Sequence, residues 1–449
     1  VRIDEIKGTY GNLQAMEMPV PVHRAQAMCY GWIYGEKEGL SQIGIQMTYS
    51  HLDTEDTRRF REIFSMEELK KWYQELLDAY HKWIAYSLSW KKERNASMTG
   101  LEFPFPYREG QRDLVHGVYR TILREKQLFI QAPTGVGKTM SCLYPAGRSV
   151  GEGISEKIFY LTAKTITRTV AWEAFEILKK HGLRWKSLLL TAKEKLCVCE
   201  NMECNPAACA RAKGHFDRVN DAVFELLEKE EIYDREMLLS YAEKYQVCPY
   251  EMSLDLANWV DGVICDYNYV FDPHVNRKSL IEGSLRQNIY LIDEAHNLLD
   301  RTRDMYSADI AKSDFKVPKK YFKDRNRFLF KKLNNCIIAL RKMEKEFHEE
   351  ERFHLHKNAD AMYFPIFHLI GPLEEYLTEH DNFQEREEIV EFYFKISHFY
   401  MILDNMDSGY EIYSEKRGRD FFLRLFCVNP SDKLEEYIQN SRSSIFFSA

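Results

Sequence analysis

No stretch of this 449-residue chain stays apolar long enough to span a bilayer, and no secretory leader is readable at its start. The expectation is a protein of the reducing cytoplasm with no membrane partner. Internal repeats and low-complexity segments are also missing, so solenoid and linker-like architectures drop out. A large excess of either charge is lacking too. Sixty-nine acidic residues face 62 basic ones, for a net charge of −7. That balance does not oppose nucleic-acid binding, which needs only a locally positive channel.

What is present is chemistry for phosphate. Gln131 to Thr139 read QAPTGVGKT, after the apolar run Gln127 to Ile130 and before MSCLYPAG, which begins helically and meets Pro145. A short apolar run is what a buried parallel strand requires. The loop follows G-x-x-x-x-G-K-[ST] with Ala132 in place of the first glycine. Gly135 and Gly137 let the backbone turn so that successive N–H groups point inward. The loop Ala132, Pro133, Thr134, Gly135, Val136 and Gly137 is therefore expected to wrap the phosphates of ATP. Lys138 would reach the β- and γ-phosphates, and the Thr139 hydroxyl would bind Mg²⁺.

A second cluster, LIDEAHN, spans Leu291 to Asn297 at the end of another apolar run. An Asp at such a strand end holds Mg²⁺ in P-loop enzymes, which assigns Asp293 to the metal. Glu294 is placed to polarise the attacking water. ATP hydrolysis needs both clusters.

Ten cysteines are spread along the chain. In a reducing compartment, clustered cysteines read as metal ligands rather than disulfides. Cys197, Cys199, Cys204 and Cys209 lie in LCVCENMECNPAACARAKGHFDR, and Cys248 begins CPYE. Cys29, Cys142, Cys336 and Cys427 stand alone and read as small core residues, and Cys265 falls inside the apolar run VICDY. Four thiolates can hold zinc or a [4Fe–4S] cluster. The irregular spacing, with the last ligand far from the others, fits a cluster-stapled insert better than a zinc ribbon.

Together these motifs resemble a superfamily-2 helicase motor, and more narrowly the XPD/DinG group of iron–sulfur helicases. The resemblance rests on the Ala-x-Thr-Gly-x-Gly-Lys-Thr loop, on Asp293-Glu294-Ala295-His296, and on the cysteine insert between TAKEKLC and CPYEMSLDLANWVDGVICDYNYVFDP. It extends over about residues 98–449. By this resemblance FPYREGQRDL contains the adenine-reading Gln111, and FYLTAKTITR is a strand-end motif that touches the DNA backbone. The terminal SSIFFSA looks like the strand that couples hydrolysis to DNA through Ser-Ala-Thr. The implied cluster ligands are Cys197, Cys204, Cys209 and Cys248; Cys199 either replaces Cys197 or is a spare thiol. The implied activity is ATP-dependent unwinding that moves 5′ to 3′ on single-stranded or forked DNA, by a monomer.

Between DEAH and the last strand, RFLFKKLNNCIIALRKMEKEF is strongly amphipathic, with Leu329, Leu333, Ile337, Leu340 and Met343 on one face. REEIVEFYFKISHFYMILDNM is a second such segment. Their spacing suits a helical insert, which the resemblance identifies as an arch. The basic run KVPKKYFKDRNR, with its aromatics, either follows a DNA backbone or is a solvated loop before a helix.

The first hundred residues are different. A strand at VRIDEIKGTY is followed by a helix from His23 to Gly35, a strand from Ile43 to Tyr49, and a helix that begins at Met66 behind a Ser65–Glu68 capping box. Glu5-x-Lys7 on a strand with Gln26-x-x-x-Tyr30 on a helix resembles the RecB-type branch of the PD-(D/E)XK nucleases. The resemblance implies that Glu5 helps hold a divalent metal and that Lys7 orients or activates water. The family's upstream His and metal-binding Asp are not among these residues.

The expected fold is α/β: a parallel P-loop sheet (a RecA-like motor domain) with strands at 127–130, 157–162, 187–191, 262–266, 289–293 and 444–448. The expected boundaries are a partial nuclease-like domain at 1–97, a motor domain at 98–195 with 249–300 and 425–449, an iron–sulfur insert at 196–248 and an arch at 301–424. Lys91 to Gly100 reads as a linker. Both ends read as cut from a longer nuclease–helicase, whose second motor domain would supply an arginine finger. Two other functions fit the same residues: an idle DNA-binding scaffold, and a nuclease fed by the motor.

Overall fold

The computed structural model describes all residues except 10–12, 53, 200, 201, 203, 205, 207, 274, 276–286, 348–351 and 381–382. Five positions of the cysteine-rich run and Tyr10 of the first expected strand therefore lie outside the described residues. The chain divides into two units. One comprises Val1–Tyr86, Val317–Asn334 and Pro365–Tyr393; the other comprises Ser87–Lys316, Asn335–Phe364 and Phe394–Ala449.

In the first unit, β1 (Arg2–Thr9) pairs in parallel with β2 (Gln42–His51), and β3 (Thr57–Ser65) pairs with β2 in antiparallel fashion. The helix α1 (Pro21–Lys37) starts on a proline, whose missing N–H costs nothing in a first turn. Ala27 and Met28 of α1 pack with Ile43, Ile45, Met47 and Tyr49 of β2. The next helix, α2 (Met66–Met98), begins at the expected capping box. Ser65 Oγ accepts from Glu68 N at 3.2 Å, and Glu68 Oε2 accepts from Ser65 N at 2.8 Å. Strand β3 was not expected; its half-buried face carries Arg58 and Glu62 beside Phe60 and Phe64, so charge hides the period of two.

The stretch from Lys91, expected to be a linker, is the last part of α2 and is helical through Met98. Lys, Glu, Arg and Ala are strong helix formers, and polarity alone does not make a loop. Arg94 is buried and donates to Asp261 Oδ1 at 2.7 Å. The helix stops before Gly100, whose φ of +83° suits glycine.

The second unit holds the parallel sheet. Its strands are β4 (Gln127–Gln131), β5 (Lys157–Leu161), β6 (Ser187–Leu189), β7 (Ile232–Tyr233), β8 (Gly262–Cys265) and β9 (Asn288–Asp293). Helices α3 (Gln111–Leu123), α4 (Lys138–Gly151) and α5 (Thr165–Lys180) cover it. The sequence did not suggest β7. Two residues carry no periodic signal, and this strand lies within the span expected to be the cluster insert. The helix α4 runs through Pro145 instead of stopping there.

The region expected to be a helical arch also contains a four-stranded antiparallel sheet. It is built from β10 (Ala308–Ala311), β11 (Phe353–His356), β12 (Tyr410–Arg417) and β13 (Asp420–Cys427), in the order β10-β13-β12-β11. The helix Arg327–Glu344 forms as expected, and Leu329, Leu333, Ile337, Leu340 and Met343 are all buried. The basic run is helical from Lys316 to Phe322, and Tyr321 and Phe322 are buried, so these rings serve the core.

The chain then returns to the parallel sheet as β14 (Ser443–Ser448), giving the order β4-β14-β9-β5-β8-β6-β7. All six expected strands are in this sheet. Its core gathers Ile158, Tyr160, Ile264, Ile289, Leu291, Ile445 and Phe447 with Val115, Val118 and Ile122 of α3 and Leu143 of α4. Each fully buried aliphatic chain contributes roughly 1.5–3 kcal/mol. Strand register then aligns the chemically important ends. Ser448 pairs with Gln131, Phe447 with Asp293, Leu161 with Ile292, and Leu161 also with Cys265. The phosphate loop, the DEAH segment and the turn after β5 therefore leave one edge of the sheet, where ligands bind in open α/β folds.

Candidate nucleotide site

The loop between β4 and α4 turns on two glycines, with φ of +86° at Gly135 and +82° at Gly137. Lys138, the first residue of α4, folds back and donates to the carbonyls of Ala132 at 2.7 Å and Pro133 at 3.1 Å. Gln111 is buried. Its Nε2 donates to Val136 O at 3.1 Å, and its Oε1 accepts from Arg108 N at 3.0 Å. Its carboxamide thus braces the loop. A Cβ at Gly137 would stand 2.6 Å from that Nε2, so a larger residue would push the brace aside as well as strain the φ.

Asp293 ends β9, facing the loop. Its Oδ2 accepts from the Tyr160 hydroxyl at 2.6 Å, and its Oδ1 from Glu294 N at 2.8 Å. The same Tyr160 hydroxyl is 3.5 Å from Thr139 Oγ1. The two residues expected to hold Mg²⁺ are therefore joined through one tyrosine. Burial pushes the Asp293 carboxyl above its ordinary range, against the pull of the Tyr160 hydroxyl and the Glu294 N–H. Burial also pushes the Tyr160 hydroxyl well up, with the Asp293 charge adding to it. A cation at this point would relieve the cost of the buried carboxylate.

Glu294 has φ of +54°, a left-handed conformation that costs a non-glycine residue about 1 kcal/mol. The turn aims its side chain between two bases. Lys164 Nζ and His296 Nε2 each lie 3.5 Å from Glu294 Oε2. The Tyr267 hydroxyl donates to the carbonyl of Asp293 and lies 3.1 Å from that of Glu294. His296 Nδ1 is 2.6 Å from Ser448 Oγ, so the DEAH segment touches the end of β14.

Sequence reading missed Tyr160, Lys164 and Tyr267 as parts of this site. A Tyr inside an apolar strand is a usable signal, because its buried hydroxyl must find a partner. Beyond the loop, Asp266 holds two arginines, Arg168 at 3.2 Å and Arg301 at 3.0 Å.

The thiols fall into two neighbourhoods. Cys199 Sγ is 3.6 Å from Cys209 Sγ, and Cys197 Sγ approaches the carbonyl of Cys199 at 3.8 Å. Cys204 and Cys248 both act on the Lys193 amine. Cys248 N donates to His215 Nδ1 at 3.2 Å, and His215 is buried. The insert thus supplies thiols of the type that a cluster takes, but among the described residues no three of them converge on one point. Of the lone cysteines, Cys142, Cys336 and Cys427 are buried as expected, and so is Cys265; Cys29 is half-buried.

In the other unit, β1 and α1 bring the four expected nuclease residues together. Lys7 Nζ is 2.8 Å from Glu5 Oε1 and donates to Gln26 Oε1 at 3.1 Å. Gln26 Nε2 reaches the Tyr30 hydroxyl at 3.2 Å. Strand alternation puts Glu5 and Lys7 on one face, toward α1.

The chain is similar to known proteins over part of its length. Residues 167–315 match the family model described as DEAD_2. The chain is 24% identical over 260 residues to a Regulator of telomere elongation helicase 1 homolog of Caenorhabditis briggsae, covering 48% of this chain and 26% of that protein. It is 22% identical over 266 residues to the Homo sapiens Regulator of telomere elongation helicase 1, covering 48% of this chain and 21% of that protein. The chain thus spans about a quarter of the length of these relatives. A solved structure titled XPD_Helicase shares the fold at TM-score 0.50 and 15% identity, over 76% of this chain and 58% of that one.

Proposed function

We propose that the motor part of this chain, which is similar to the XPD/DinG group, is a superfamily-2 motor domain and that the protein is an ATP-driven DNA helicase. The observation that carries the reading is the convergence of Lys138, Thr139, Tyr160, Asp293 and Glu294 on one sheet edge. Lys138 would exchange its loop carbonyls for the β- and γ-phosphates. Thr139 and Asp293 would hold Mg²⁺, which supplies charge neutralisation on the phosphates. Glu294, steadied by Lys164 and His296, orients water. Ser448 on β14 receives that state through His296 and relays it toward DNA.

Cys197, Cys204, Cys209 and Cys248 are proposed to hold a [4Fe–4S] cluster that staples the insert. The domain boundaries expected from the sequence, and 5′-to-3′ movement on single-stranded or forked DNA, belong to the same proposal.

The nuclease part rests on the contacts among Glu5, Lys7, Gln26 and Tyr30. Glu5 would help hold a divalent ion, and Lys7 would act on water at the scissile phosphate. These contacts favour a second reading, in which the motor feeds DNA to that site.

Two substitutions separate the readings. In the intact protein, with its second motor domain, Lys138→Ala is expected to remove DNA-stimulated ATP hydrolysis and unwinding; unchanged ATPase there would overturn the helicase. Lys7→Ala is expected to abolish Mg²⁺- or Mn²⁺-dependent cleavage while sparing ATPase. Cleavage that survives in Lys7→Ala would remove the nuclease assignment.

A further inference from the structure

The antiparallel sheet carries a cluster that the helicase reading does not use. Strand β11 reads Phe-His-Leu-His, and its period of two puts His354 and His356 on one face. Their ring centroids lie 4.8 Å apart. Glu346, just beyond the helix Arg327–Glu344, brings Oε2 to 3.2 Å from His356 Nδ1. One ligand atom from each of the three residues falls within 4.8 Å of the other two.

The arrangement has a built support. The His356 side chain is only 2% exposed. Its Nε2 lies 2.8 Å from Ser414 Oγ on β12, and Ser414 is fully buried. A hydroxyl that accepts from Nε2–H leaves the lone pair on Nδ1, on the side of Glu346. Metal-bound histidines are commonly held in this way, with the second ring nitrogen engaged by a neighbouring group.

We propose that Glu346, His354 and His356 bind a divalent transition-metal ion of the zinc type, with water completing the coordination. Two imidazoles and one carboxylate suit Zn²⁺ or Co²⁺. Mg²⁺ and Ca²⁺ prefer oxygen-only sets. The ion has a structural use. Among the described residues β11 is an edge strand that pairs with β12 alone, over four positions. A metal shared with Glu346 ties that strand to the end of the helix Arg327–Glu344.

The test uses the full chain purified without a polyhistidine tag and titrated with Co²⁺. Nitrogen and oxygen donors give weak d–d bands alone, whereas thiolates add strong sulfur-to-metal charge transfer, so the cysteine insert is read separately. The expected result is one equivalent of Co²⁺ without thiolate charge transfer, absent from His354→Ala. Glu346→Gln, at a half-exposed side chain, is expected to weaken it at least ten-fold without touching the fold. Ser414→Ala is expected to weaken it about 10–100-fold. If the wild type takes up Co²⁺ only through thiolates, or His354→Ala and Glu346→Gln bind as the wild type does, the proposal is overturned. The three residues are then an ion pair with a neighbouring imidazole.

Discussion

His296 Nδ1 and Ser448 Oγ lie 2.6 Å apart, although 152 positions separate them in the chain. The contact exists because β14 inserts between β4 and β9, so the last strand ends beside the DEAH segment. His296 also faces Glu294, at 3.5 Å. One imidazole thus joins the Glu294 carboxylate, proposed to orient water, to the end of β14.

Ser448→Ala removes that link and leaves the phosphate loop intact. Basal ATP hydrolysis is expected to stay within about three-fold of wild type, while stimulation by single-stranded DNA falls roughly ten-fold, the worth of one hydrogen bond to a polar partner. Steady-state ATPase assays with and without DNA decide it. Equal loss of both rates would place Ser448 in hydrolysis itself.

Tyr160→Phe tests the tyrosine between Thr139 and Asp293, the two residues proposed to hold Mg²⁺. The ring stays packed, and the only loss is the hydroxyl at 2.6 Å from Asp293. The expected outcome is a drop of about ten-fold in kcat/KM for Mg²⁺-ATP, partly recovered at high Mg²⁺. A circular dichroism spectrum like that of the wild type would locate the effect in the site.

Asp261 is a buried anchor. It accepts from Arg94 at 2.7 Å, Trp90 Nε1 at 2.9 Å and Lys186 N at 2.9 Å. Asp261→Ala leaves Arg94 charged and unpaired in the interior, which costs about 3–5 kcal/mol. Denaturant titration should show the midpoint falling accordingly. A change under about 1 kcal/mol would mean that water reaches Arg94.

Lys186 gives a pH dependence of known sign. Burial holds its amine down to about 8, partly offset by Glu231 and Asp261. Its Nζ donates to the carbonyls of Leu227 and Glu230 at 2.6 and 2.7 Å. The folded value lies below the unfolded one, so between the two the unfolded chain binds the extra proton. Stability from this group therefore rises with pH from about 8 to about 10. Lys186→Met should lack that rise, by roughly 1–3 kcal/mol against wild type across the window. Parallel slopes for the two proteins would refute the assignment.

The proposed cluster ligands are separable by colour and iron content. Cys248→Ser and Cys197→Ser are expected to lose iron from anaerobically purified protein, and Cys199→Ser to keep it. Cys199 lies 3.6 Å from Cys209, so the reverse outcome for Cys197 and Cys199 would move the ligand by two residues. Stoichiometric zinc without iron would replace the cluster altogether.

Much of this protein was legible along the chain because its signals are local. Buried parallel strands are short apolar runs, a phosphate loop needs glycine at two left-handed positions, and a capping box spans four residues. Composition misled where context decides. Lys91 to Met98 is polar yet helical, because Arg94 finds a buried acid far away in the chain. The hairpin between β12 and β13 had a readable sign, Gly418 at φ +65° in a two-residue turn, but aromatic and charged residues around it also suit a helix.

Tertiary structure alone decided which groups share a point in space. Sequence could nominate Lys138, Thr139, Asp293 and Glu294, since each is dictated by the chemistry of phosphate and its metal. It could not nominate Tyr160 as the partner of Asp293, or Ser448 as the partner of His296. Those contacts depend on strand order and register, which arise from packing between segments more than a hundred residues apart and leave no periodic trace in either one.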